Sequence, residues 1–70
     1  MIKRAVRVPC TNSRLAAVIS AAESYGARII DSWTDPITAT LHVDISHVPK
    51  GERDAYLEAL TRICEKAGKI

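Results

Sequence analysis

Apolar residues along this chain follow two spacings, every second position and every third or fourth, and the changes between them predict five elements. Over residues 2–8, Ile2, Val6 and Val8 fall on one face with Arg4, while Lys3, Ala5 and Arg7 fall on the other. The β-branched residues favour a strand, and Pro9 ends it by removing a ladder donor. Thr11, Asn12 and Ser13 are all residue types that cap helix N-termini. After them Leu15, Val18, Ile19 and Ala22 recur at helical spacing, among alanines that keep the helix thin enough to lie close to a sheet. Gly26 supplies the left-handed residue on which helices commonly end.

A strand-like run follows over residues 27–33, then a turn at Asp35-Pro36. Alternation is cleanest over residues 37–45. Ile37, Ala39, Leu41, Val43 and Ile45 point one way, and Thr38, Thr40, His42 and Asp44 the other. Past Pro49 and Gly51, a second helical stripe runs through Tyr56, Leu57, Leu60, Ile63, Cys64 and Ala67 and ends at Gly68. Glu58 and Arg62 pair at i, i+4 on its solvent side.

The element order is therefore β-α-β-β-α, an α+β two-layer sandwich. A right-handed crossover makes the first two strands parallel, with a helix on one face of the sheet. The third strand then fits between them, and the second helix covers the same face as the first. This order resembles the start of the ferredoxin-like plait, the split β-α-β arrangement, without its fourth strand. Through Gly26-x-x-Ile29 it also resembles, loosely, the ACT-type regulatory domain. With no fourth strand beside it, the strand over residues 2–8 presents an unpaired edge, either guarded by Lys3, Arg4 and Arg7 or used for pairing with another chain.

Seventy residues allow a single domain, 1–70, and 47% apolar with 26% charged residues is the composition of an ordinary globular chain. No apolar run approaches the roughly 18 residues of a membrane span, and no apolar stretch follows the N-terminal basic residues as a signal peptide requires. A domain this small buries only about 60% of its unfolded surface, so a disulfide, a metal or a partner is the usual supplement. Cys10 and Cys64 are the only cysteines, without CxxC spacing, and without an export signal reduced thiols in a cytoplasm are expected. That leaves association with a partner, or with itself through the 2–8 edge.

Charge is uneven. Residues 1–30 carry a balance of +4 and residues 31–70 a balance of −2 within the net +2. Lys3, Arg7 and Arg28, with His42, are expected on the open sheet face, where they suit phosphates or an acidic protein surface. Single-stranded RNA readers need aromatic platforms on that face, and with no Phe in the chain and Tyr25, Trp33 and Tyr56 expected off it, nucleic acid is disfavoured. Trp33 ends the second strand, and if exposed it is the natural anchor for a protein partner. His42 and Asp44 share a face with His47 just beyond, but a third well-placed ligand is missing, so no metal site is expected. Cys10 precedes a helix yet has no partnering histidine and no glycine-rich anion cradle, so no nucleophile is assigned either.

No enzyme, no cofactor and no membrane attachment are expected. The expected activity is stoichiometric binding to a larger protein or protein complex as a modulator or inhibitor, as with phage-encoded inhibitors such as anti-CRISPR proteins. Its contacts are expected at Lys3, Arg4 and Arg7 on the first strand, Arg28 and Trp33 on the second, and Thr40 and His42 on the third. The alternatives are an ACT-like dimer that senses a small molecule, and last a nucleic-acid-binding module.

Overall fold

A computed structural model describes residues 1–69. The elements are β1 (Lys3–Pro9), α1 (Leu15–Ser24), β2 (Arg28–Asp35), β3 (Thr38–Asp44) and α2 (Arg53–Gly68), with short 3-10 turns at Asn12–Arg14 and Lys50–Glu52 leading into the helices. β3 lies between β1 and β2 and runs antiparallel to both, so β1 and β2 are parallel. The architecture is a small α+β sandwich of one three-stranded sheet and two helices.

The alternation in the sequence decides which face the helices cover. Val6 and Val8 of β1 sit opposite Leu41 and Ala39 of β3, and these residues, with Val43, are buried. Val18 and Ala22 of α1 and Leu60 and Cys64 of α2 close over them with Ile45 and Val48 in one cluster. Burying each such valine or leucine is worth about 1.5–3 kcal/mol relative to exposure, and this cluster is the main stabilising term. The other face of the sheet has no covering layer among the described residues.

α1 ends as expected. Gly26 takes φ +87°, and the bonds Ala27 N–H to Ala22 C=O and Gly26 N–H to Glu23 C=O form a Schellman motif. Its beginning departs from expectation, because none of Thr11, Asn12 and Ser13 caps it through a side chain. The hydroxyls of Thr11 and Ser13 bond each other, and the Asn12 side-chain oxygen accepts from the Thr34 hydroxyl of β2. These oxygens tie the β1–α1 connection together and to the neighbouring strand instead.

Two further expectations are corrected. β2 runs on to Asp35, which pairs with Thr38, so Pro36 and Ile37 form a two-residue loop. Ile37 therefore lies beyond the ladder and is 74% exposed instead of sharing the buried face of β3. Gly68 belongs to α2 instead of ending it. A Cβ there would lie 2.6 Å from the Pro9 carbonyl oxygen, so glycine is what lets the last turn of α2 approach the end of β1. Arg14 fastens the same corner by donating to the Ala67 carbonyl at 3.0 Å, a cation at a helix C-terminus.

Candidate partner interface

β2 does not alternate strictly. Ile29 pairs with Val43 and Asp31 with His42, so Ile30 is an extra residue without a partner in β3. Such a bulge shifts the side-chain parity of everything beyond it. Arg28 lies opposite Asp44 and Trp33 opposite Thr40, both on the open face, although strict alternation puts them on opposite faces. Trp33 therefore joins the open face, contrary to the sequence expectation, and its ring meets His42 edge-on with centroids 4.7 Å apart. An edge-to-face pair of this kind adds about 0.5–1.5 kcal/mol beyond the area it buries. Thr40, flanked by Arg7 on one strand and Trp33 on the other, is buried at 4% exposure despite facing outward.

The open face can be read as rows across the ladder: Lys3–Asp44–Arg28, Ala5–His42–Asp31, Arg7–Thr40–Trp33 and Pro9–Thr38–Asp35. Charge on this face is mixed. Lys3 and Arg7 make the β1 side cationic, while the bulge brings Asp31 and Asp35 out on the β2 side. Arg4 is not on this face: it lies opposite Val43 on the helix side, exposed, with its guanidinium donating to the Lys3 carbonyl at 3.0 Å. Ile30, 43% exposed at the bulge, is an interface candidate that the sequence reading missed, because only the ladder register reveals a bulge.

Asp44 does not neutralise its cationic neighbours. Its Oδ1 accepts from the Ser46 N–H at 2.9 Å and the Ile2 N–H at 3.2 Å. The Ser46 bonds, backbone and side chain, hold the carboxyl down to about 2, with the Ile2 N–H and the N-terminal charge adding to the effect. Among the described residues no carboxylate comes within 4.0 Å of Lys3, Arg4, Arg7 or Arg28, and the ion pair found is Arg62–Glu58 on α2.

The outer edge of β1 has a definite polarity. Ile45 N–H donates to the Ile2 carbonyl, and Cys10 N–H donates to the Ile37 carbonyl, so even-numbered residues turn their backbone groups toward β3. Lys3, Ala5 and Arg7 therefore turn theirs outward, and no other described backbone group bonds them. At Pro9 the edge is closed by the last turn of α2.

The remaining candidates are dispersed. His47 stacks edge-on against Tyr56 with centroids 6.0 Å apart, whereas His42 packs on Trp33, so the two histidines serve different aromatic contacts. Among the described residues no three His, Cys, Asp or Glu side chains converge as metal ligands. Cys10 and Cys64 are both free and buried. The Cys10 thiol donates to the Thr11 carbonyl, and burial pushes the Cys64 thiol up to about 11. On the helix side, Tyr25 and Tyr56 stack 5.4 Å apart beside a groove of about 380 Å3 lined also by Val48, Glu52, Ala55 and Ala59. The Tyr56 hydroxyl there is buried without a partner, and burial followed by the nearby Tyr25 raises its pKa.

No protein-family model, curated protein or solved structure matches the chain. The functional reading accordingly rests on the surfaces just described.

Proposed function

We propose that this chain is a non-enzymatic binding protein that engages a larger protein partner stoichiometrically and modulates or inhibits it through the open face of its sheet. One observation carries the reading: Trp33 stands 40% exposed on an uncovered sheet face, braced by His42 and flanked by Arg7 through Thr40. Tryptophan and arginine dominate interface hot spots, and an aromatic already held by a neighbour loses little side-chain entropy on binding. Ile30, 43% exposed at the bulge, adds apolar surface to the same strand, and the charged residues form the polar rim usual around an apolar centre.

The mixed charge of the face favours a protein partner over nucleic acid. Trp33 and His42 are the kind of groups on which bases stack, but Asp31, Asp35 and Asp44 share their face and repel a phosphate backbone. The free, buried thiols fit a reducing cytoplasm. The β1-β3-β2 order and the open β1 edge support reading the fold as a ferredoxin-like plait without its fourth strand. A phage-encoded inhibitor of a larger machine, such as an anti-CRISPR protein, is one form that such a modulator takes.

The test is affinity capture from the source cell with the wild-type chain and Trp33→Ala, followed by native mass spectrometry. One partner recovered in fixed stoichiometry, and lost with Trp33→Ala while circular dichroism is unchanged, supports the reading. Equal recovery by both baits removes the open face from it.

A further inference from the structure

We infer that the outer edge of β1 is a strand-addition site for an extended, acidic segment of a protein partner; this rests on the protein-binding reading above and gives it a second contact. The edge has what strand addition requires. The N–H and C=O groups of Lys3, Ala5 and Arg7 face outward, and the register of β1 is uninterrupted from Lys3 to Pro9. The opposite edge of the sheet, β2, is broken by the bulge at Ile30, a common device for blunting an edge.

Charge selects the occupant. A strand laid along β1 meets Lys3 and Arg7 on the open face and Arg4 on the helix side, and all three lack a carboxylate partner among the described residues. Opposite charges across a ladder stabilise it and like charges oppose it. A second copy of this chain brings the same three cations to the same seam, so self-pairing is disfavoured. A segment with carboxylates at alternate positions neutralises Lys3 and Arg7 together. It also releases Arg4 from the Lys3 carbonyl, which then accepts from the incoming backbone. Ala5, small and exposed between the two cations, leaves room for the added side chains.

The experiment uses the full 15N-labelled chain and a blocked seven-residue peptide of alternating glutamate and threonine, with a lysine-for-glutamate peptide as control. In the free protein the amides of Lys3, Ala5 and Arg7 are expected to exchange fast and those of Arg4, Val6 and Val8 slowly. The glutamate peptide in excess is expected to shift the Lys3, Ala5 and Arg7 amides and slow their exchange by roughly tenfold or more, an effect lost at high salt and absent with the lysine peptide. Ala5→Pro removes one outward N–H without touching the β3 ladder and abolishes the effect; Arg7→Glu, which leaves the backbone alone, does the same if Ala5→Pro fails to fold. Each of these results overturns the inference: no response at β1, an equal response to the lysine peptide, concentration-dependent protection without peptide, or protection of these amides only by a single-stranded oligonucleotide. Shifts confined to Trp33 and His42 also overturn it while leaving the open-face reading intact, and loss of capture with Trp33→Ala but not with Ala5→Pro separates the two in the same way.

Discussion

Arg28 and Trp33 face the same side of the sheet, and the bulge at Ile30 between them is the reason. Were these same residues paired without a bulge, either the cation or the aromatic would turn into the helix layer. The composition of the candidate interface therefore depends on a single backbone irregularity and not on the residues of the face alone.

Deletions separate the two halves of that statement. Removing Ile30 leaves Ile29 facing the helices and Asp31 facing outward in regular alternation, so the fold is expected to persist with stability changed by about 1–2 kcal/mol at most. Nuclear Overhauser contacts between Trp33 and His42 should survive. Removing Ser32 instead gives a regular strand that turns Asp31 toward the helix layer at the half-buried place of Ser32, and a loss of about 1–3 kcal/mol is expected. Equal tolerance of both deletions would show that β2 does not hold its register.

Gly68→Ala has two opposing effects. Helix propensity favours alanine by about 1 kcal/mol, but its Cβ would lie 2.6 Å from the Pro9 carbonyl oxygen, a backbone atom that cannot swing away. The clash is expected to win, with a net loss of about 1–3 kcal/mol. Gly51→Ala meets open space and should stay within about 0.5 kcal/mol of wild type. Urea midpoints at unchanged slope measure both.

Asp44 links the start of the chain to the end of β3, and its carboxyl titrates at about 2 against an ordinary 3.8. A carboxyl depressed on folding stabilises fully above the unfolded value, and that stabilisation is lost as pH falls through the folded one. Stability is therefore expected to decline between about pH 4 and pH 2 in the wild type. Asp44→Asn should be less stable at neutral pH and lack this part of the decline, so the two curves converge in acid. Parallel curves down to pH 2 would exclude Asp44 as the titrating group.

Both thiols should resist modification in the folded state. Cys10 and Cys64 are 4% and 0% exposed, so labelling by a disulfide reagent is expected to follow the rate of unfolding and become fast in denaturant. The raised Cys64 value, about 11 against 9.0, predicts stability that is level below about pH 9 and falls as pH rises toward 11, because the unfolded chain ionises first. Cys64→Ala should flatten that alkaline limb.

The five elements and their order were legible because alternation and helical stripes report burial directly. Leu41 and Val43 on one side of β3 and Leu60 and Cys64 on one side of α2 could hardly lie elsewhere. The side on which Trp33 falls was not legible. A bulge is a property of two strands in register, and nothing in Ile29-Ile30-Asp31 alone marks it. The capping residues misled for a related reason: Asn12 is a good N-cap by type, but Thr34, distant in sequence, claims its side chain. Gly68 was visible as a glycine, whereas its purpose lies in the Pro9 carbonyl, which only the packed structure brings near.

The kink in β2 also limits growth. A sheet with two straight edges can take a neighbour on each side, and every added copy offers the same invitation onward, which is how filaments begin. Here the strand that invites pairing is at one margin only, and the bulge spoils the other. A chain joined along β1 finds no second landing place across the sheet, so the assembly terminates at a fixed size instead of propagating.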